Sequence, residues 1–484
     1  MHIASIQMKV WVMFFVCLGV SGGSALAQDA NSLPSAPMPN VATIKLPGGV
    51  VVEQATPGAL PLSLDDAIER GMKRNLQMEL SRQNERYVHG QVLTVKNSLL
   101  PSMTAQGQTG TQEINLAALG FKPGSLEGLG VPVGTFKQIV KVSTTSAQLN
   151  LNQQLFNVPA YFLYRAAQKA DTAASLTTLN TRGTVALQVG TQYLLALADA
   201  AQIENAQALV KSNEVSLQQA TASHDAGVGT NLDMLRARVQ LQTQQQVLIN
   251  AENTFAKDKI QLNRLIGLPA EQELKLTDTA PYAEFAELPL EQAMALAFER
   301  RKDLLSLQAQ LEVADRTRKA VKSERLPALA FDGYYGVLGE TQGLYHGVFS
   351  AAGKLTFPIF QEGQLRGELE VAEAQKRALQ QQIDSLKVTI EQQIRSSMLD
   401  VQSSAELVKV AQSNVGLATE QLQQASDRFA AGVDDNLPVV QAAATLADAQ
   451  SRLVSTLYQY NQSKLMLARN TGVVETQYKV YLGR

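Results

Sequence analysis

The residues able to do chemistry are few. Beyond the first 27 positions the sequence holds three histidines, His89, His224 and His346, and no cysteine. None sits in an HExxH, GxSxG or GxxxxGKS/T pattern, so metal-assisted hydrolysis, acyl transfer and P-loop phosphate binding have no foothold. The expectation is no enzyme activity, no cofactor and no metal, with His224 a solvated residue near a helix end. What remains is a set of carboxylates beside two glycine turns. Asp233 closes the run Ala226-Gly227-Val228-Gly229-Thr230-Asn231-Leu232-Asp233, and Asp434-Asp435 follow Arg428-Phe429-Ala430-Ala431-Gly432-Val433. A carboxylate at the start of a helix is favoured by the helix dipole, and a glycine just past a helix end takes up the left-handed backbone.

Those turns need long elements to position them, in a chain of 484 residues with 42 Lys+Arg against 44 Asp+Glu, 45% hydrophobic and 6% aromatic residues. The near-neutral charge leaves no basic footprint for nucleic acid, and the apolar content excludes disorder for the bulk of the chain. Residues 1–27 read as a secretory signal peptide: His2 and Lys9, an apolar run Val10–Val20, then Ala25-Leu26-Ala27 with cleavage after Ala27. Cys17 follows Val16, where a lipoprotein would need a small residue. Residues 28–61, rich in proline, read as an extended tail. No later run is long and apolar enough for a transmembrane helix.

The rest of the chain repeats itself. Leu62-Ser63-Leu64-Asp65-Asp66-Ala67 resembles Leu288-Pro289-Leu290-Glu291-Gln292-Ala293, and Leu100-Pro101 resembles Leu326-Pro327. Ala226-Gly227-Val228 resembles Ala431-Gly432-Val433 at a shorter spacing, so the first copy has the longer loop, within 115–137. Each copy reads as helix, two strands, a very long helix, a tight turn and a helix. The long runs, 159–226 and 361–431, would each reach about 100 Å if straight. The other helices are expected over 63–101 and 232–267, then 290–326 and 436–472. Ile383, Leu386, Ile390, Ile394, Met398 and Val401 step by 3 or 4 along a narrow packing seam.

Four segments alternate with period 2: about 102–114, 139–156, 328–339 and 347–360. Leu149, Leu151, Phe331, Leu355 and Phe357 fall on the apolar parity and are expected to face lipid, opposite Ser, Gln and Asn. Their length suits a bilayer crossing. Four strands cannot close a barrel, and open edges cannot face lipid, so several chains must share one around a water-filled lumen. Tyr334, Tyr335, Tyr345 and Phe349 are candidates for an interfacial girdle.

With its duplication, its two L-x-L-x-x-A openings, Leu100-Pro101, Leu326-Pro327 and both glycine turns, the mature chain resembles the TolC family of outer-membrane efflux proteins over nearly its whole length. The resemblance implies a homotrimer with a 12-stranded barrel in outer-membrane lipid and a tunnel of long helical hairpins in the periplasm. The fold class is thus mainly α with a membrane β-barrel. It also implies a periplasmic adaptor partner, and through it an inner-membrane pump. Ala226, Gly227, Val228, Gly229, Thr230, Ala431, Gly432 and Val433 would be the adaptor-contacting tips. Asp434, Asp435 and Asp233 would stand at the periplasmic entrance, where a ring of carboxylates favours cations and raises the pKa of its members. Family acidic positions slightly later in the second turn fall here on Pro438 and Gln441, so capping and ring both stay open. The expected divisions are 62–280 for the first repeat, 281–475 for the second and 476–484 for a C-terminal tail. The expected function is an efflux exit duct, with a type I secretion duct or a soluble coiled-coil rod as alternatives.

Overall fold

In the computed structural model the described residues are 56–118, 137–227, 229–278, 283–285 and 288–483. The expected signal peptide with Ala27, most of the proline-rich tail, Val228 and the centre of the 115–137 loop lie outside them. The elements run β1 (Leu60–Leu62), α1 (Leu64–Arg74), α2 (Leu76–Asn97), β2 (Ser102–Asn115), β3 (Ile139–Phe156), α3 (Val158–Asp225), α4 (Asn231–Ile266) and β4 (Leu274–Leu276). They continue with α5 (Leu290–Arg300), α6 (Lys302–Ser323), β5 (Ala328–Glu340), β6 (Tyr345–Thr356), α7 (Glu362–Ala430), α8 (Leu437–Asn470) and α9 (Val474–Leu482). The long helices α3 and α7 have 68 and 69 residues. The described residues fall into two compact units, one within 89–170 and 312–376, the other within 56–88, 171–311 and 377–483.

The first unit carries one antiparallel sheet in the order β2-β3-β5-β6. Its register puts Met103 with Leu151, Ala105 with Leu149, Leu149 with Tyr335, Tyr335 with Phe349, and Leu329 with Leu355. Cross-strand partners share a face, so Leu149, Leu151, Phe331 and Leu355 lie on one side. The opposite face carries Gln106 with Gln148, and Thr104, Asn150, Tyr334 and Ser350 in one row. Tyr334 therefore stands on the polar face, away from Tyr335 and Phe349. Farther along, the apolar face turns to hydroxyls: Thr109 bonds Thr145 at 2.9 Å and Thr111 bonds Ser143 at 2.8 Å.

Two expectations about the strands need correction. Strand β6 ends at Thr356, so Phe357 is an exposed residue beyond the sheet; Pro358 next to it has no N–H to extend the ladder. A register shift between Gln154 and Phe156 sets Phe156 against Leu329. One unpaired residue there brings Phe156 onto the face that Leu329 shares with Leu149.

The second unit is held by a core of Leu62, Ile68, Val189, Tyr193, Leu262, Ile266, Tyr460, Leu465 and Tyr478 among others. The seam is in place, with Ile383, Ile390 and Ile394 buried against Ala293, Ala297 and Leu304. The helices expected over 63–101 and 290–326 are each broken once. The breaks fall at Asn75 and Arg301, both in extended conformation. Asn75 donates to Leu265 O at 3.2 Å and accepts from Gln77 N at 2.9 Å. Arg301 grips Asp303 through two nitrogens, at 3.1 and 2.6 Å, and donates to Gln393 at 2.6 Å. Neither break has a proline or glycine, and each is stabilised by contacts from elsewhere in the chain.

The ends also differ from expectation. Residues 60–62, assigned to the tail and the repeat start, form a parallel strand pair with β4. Residues 476–484 are no tail, because all but the last two belong to α9. Val474, Tyr478, Tyr481 and Leu482 have helical spacing and are buried, and Tyr478 donates to Asp65 at 2.5 Å.

Lys464 is buried completely. Its Nζ donates to Ala283 O at 3.2 Å and lies 4.3 Å from the centre of the Tyr460 ring. Burial pushes this ammonium down to about 8. An unfolded lysine titrates near about 10.4, so between those values the unfolded chain binds more protons and stability rises with pH. Lys464→Met should abolish that rise and gain about 2 kcal/mol at neutral pH, the desolvation relieved less the lost cation–π contact. Thermal melts of both proteins from neutral to alkaline pH check it; parallel curves would refute it.

Candidate functional site: the two helix-turn tips

The first tip joins α3 to α4. Gly227 has φ 73° and its N–H donates to His224 O at 2.9 Å, while Gly229 N donates to Ser223 O at 2.8 Å. A side chain at Gly227 would be strained at that φ, which is why the turn needs glycine. Thr230 then caps α4. Asp233 N donates to its Oγ1 at 3.2 Å, and Thr230 N donates to Asp233 Oδ2 at 3.3 Å. This is a capping box made with aspartate, and it leaves Asp233 buried. His224 is partly exposed, 3.4 Å from Asp225.

The second tip joins α7 to α8. Gly432 has φ 69°, and Val433 N donates to Arg428 O at 3.0 Å. Arg428 Nε donates to Asp434 Oδ2 at 2.6 Å. Hydrogen bonding and the charge of Arg428 hold the Asp434 carboxyl below the usual range. Asp435 accepts from Leu437 N at 3.2 Å. Ala226, Gly227, Thr230, Ala431, Gly432 and Val433 are exposed and Gly229 is half-buried.

The two tips touch. Arg236 Nη1 lies 3.4 Å from Asp435 Oδ2 and 3.6 Å from Asp233 Oδ1, so one guanidinium on α4 serves a carboxylate from each turn. Beside it the buried Asn436 donates to Asp233 O at 3.4 Å, and its Oδ1 has no hydrogen-bond partner. Sequence reasoning singled out the three aspartates, quoted Arg428 and Asn436 only as parts of the second turn, and gave Arg236 no role. One signal was available: Arg236 follows Asp233 by three positions, the spacing of neighbours on a helix face. Among the described residues no group of three or more His, Cys, Asp or Glu could hold a metal ion, and no helix is long and apolar enough to cross a membrane.

The model of the family described as outer membrane efflux protein matches residues 67–268 and 293–473. The chain belongs to this family. Membership places it in the outer membrane, and both tips lie inside the matched segments. Among curated relatives, the alkaline protease secretion protein AprF of Pseudomonas aeruginosa is 24% identical over 356 residues, covering 71% of this chain and 72% of that protein. The outer membrane protein TolC of Escherichia coli is 21% identical over 353 residues, covering 70% and 71%. Among solved structures, the CmeC outer membrane channel of Campylobacter jejuni superposes with a TM-score of 0.72 at 14% identity, over 85% of this chain and 86% of that one. The fold of this efflux-family chain is thus that of an outer-membrane channel subunit.

Proposed function

We propose that three copies of this chain share a 12-stranded barrel in the outer membrane and a helical tunnel in the periplasm. Together they form a passive exit duct for a tripartite efflux pump. The observation that carries the reading is the sheet. Strands β2 and β6 are its outer members, and such edges persist in lipid only when paired with a neighbouring chain. Five successive cross-strand rows, from Leu329–Leu355 to Ala147–Val337, are largely apolar on the face of Leu149. Tilted as barrel strands are, these rows span roughly 20–25 Å, the height of a lipid-facing band. The opposite face, with Gln106, Gln148, Asn150 and Asn152, lines the lumen. A tandem duplication accounts for the repeated order of elements. Energy comes from an inner-membrane pump reached through an adaptor, which contacts the tips around Ala226–Thr230 and Ala431–Val433.

Electron microscopy of detergent-extracted protein, with mass determination and planar-bilayer recording, tests the duct. A threefold particle with a through-channel and stepwise conductance is expected; a monomer without conductance would overturn the reading. Site-directed crosslinking from Thr230 or Val433 should capture the adaptor. The relation to AprF supports a second reading, a duct for exported polypeptide, which loss of protease secretion on deleting the gene would single out.

Asp434 and Asp435 line the entrance in this proposal, alongside their arginine contacts. The double substitution Asp434→Asn with Asp435→Asn should lower the cation-to-anion permeability ratio severalfold and weaken block by divalent cations. Unchanged ratios would leave these residues only their turn and ion-pair roles.

A further inference from the structure

The two hairpins of the sheet keep one register. In the sequence Leu100-Pro101 before β2 corresponds to Leu326-Pro327 before β5, and Leu155-Phe156 at the end of β3 to Ile359-Phe360 after β6. Carried along the strands, these correspondences set Ser102 with Ala328 and Asn152 with Thr356. Ser102 pairs with Asn152 and Ala328 pairs with Thr356, so the β2–β3 and β5–β6 ladders match residue for residue. The seam between the hairpins, β3 against β5, is therefore a template for a seam between β6 and β2 of neighbouring copies.

A glycine marks the seam inside the chain. Gly336 of β5 pairs with Gln148 and is buried. A Cβ there would run into Ala147 O and stand 2.7 Å from Gln148 Cα, so β3 comes close enough that only glycine fits. Its counterpart in the first hairpin is Gly110 of β2. A Cβ at Gly110 would meet no atom of the described residues within 4 Å. Glycine inside a strand costs stability and packing, and nothing in this chain calls for it at that position.

We propose that β6 of one copy pairs with β2 of the next in the register that β3 keeps with β5, and that Gly110 admits the neighbour's backbone at Ala351 and Ala352 as Gly336 admits Ala147 and Gln148. This rests on the shared barrel proposed above and fixes how its copies meet. Leu355 then lies opposite Gly107 of the next copy, as Leu151 lies opposite Gly333, and Ser350 opposite Gln112, as Ser146 lies opposite Leu338. A slip of one residue would set the apolar face of one copy beside the polar face of the other. A slip of two would bring the side chain of Gln108 or Gln112 to the close approach. The row of Gly107 runs through Ala147, Val337 and Gly347 and meets the next copy at Asn115, farther along β2. Each chain thus adds the same stagger, as closure of a tilted barrel requires.

Cysteine pairs test the register in the full chain, whose one natural cysteine is Cys17. Gln112→Cys with Ser350→Cys puts the two thiols directly opposite across the seam, within the Cα separation of about 4.4–6.8 Å that a disulfide spans. Gln112→Cys with Val348→Cys, or with Ala352→Cys, is displaced by two residues to a diagonal of about 7–8 Å. Oxidation in isolated outer membranes should link copies at least fivefold more with the first pair than with either other. A trimer that links as well or better through a displaced pair overturns the register while leaving the shared barrel standing. Monomer by mass in every variant overturns both. Gly110→Val should lower the trimer fraction at least tenfold, whereas Gly353→Leu, at the counterpart of Leu149, should keep it. A Gly110→Val chain that assembles like the wild type overturns the role of the glycine, and the disulfide comparison carries the test if that variant does not fold.

Discussion

Replacing Arg236 by alanine should raise the conductance of the reconstituted channel and sharpen its preference for cations. In the structure Arg236 reaches Asp435 at 3.4 Å and Asp233 at 3.6 Å, and so ties the start of α4 to the turn before α8. Without it the two hairpins are joined at the tip mainly through Asn436 and Asp233 O, and the Asp435 carboxylate is released toward the entrance. Each partly exposed ion pair is worth about 0.5 kcal/mol. Two pairs in each of three chains then amount to about 3 kcal/mol, a shift on the order of a hundredfold in a concerted closed-to-open equilibrium. Arg236→Lys, with a point charge in place of the fork, should give an intermediate phenotype. Planar-bilayer recordings in potassium chloride gradients read both conductance and selectivity. A folded Arg236→Ala channel with wild-type values for both would show that the contact plays no part in holding the mouth.

The largest loss of stability is expected at Tyr193. Its ring is fully buried in the core, with the hydroxyl 2.9 Å from Leu62 O and 2.8 Å from Asp278 Oδ2. That carboxylate also accepts from Leu64 N at 2.8 Å, so Tyr193 joins α3 to the β1–α1 junction and to the segment after β4. Tyr193→Ala opens a cavity the size of an aromatic ring and should cost about 4 kcal/mol. Tyr193→Phe keeps the packing and should cost about 1 kcal/mol, since Asp278 and Leu62 O keep other donors. Urea unfolding of the detergent-solubilised protein separates the two, and the amount of channel in the outer membrane should follow the same order. Equal losses for both variants would mean that the hydroxyl, not the ring, matters at this position.

Legibility differed among the parts for physical reasons. The strand faces were readable because side chains alternate strictly: once Leu149 is assigned a side, Leu151, Tyr335 and Phe349 follow through the register. Phe156 broke the pattern at a bulge, where one extra residue changes parity and no residue type announces it. The long helices and their glycine turns were readable because a left-handed residue after a helical run leaves a local mark. The breaks at Asn75 and Arg301 were not, because Leu265 and Gln393, which receive their hydrogen bonds, are remote in sequence. The same holds for α9, whose apolar spacing was in view while its cover, α1 and α8, was not.

At the tips the order of residues alone fixed the local chemistry: glycines where the backbone must turn, and carboxylates beside them. It also determined the elements on which these stand and the alternation that gives the sheet one apolar face. Propensity, spacing and periodicity act over a few residues and are written locally. The state of those groups was set by contacts between distant segments. Folding paired Asp434 with Arg428 and divided Arg236 between Asp435 and Asp233. The charge a carboxylate bears and the contacts it keeps depend on what stands within a few ångströms, and in this fold those neighbours come from distant parts of the chain.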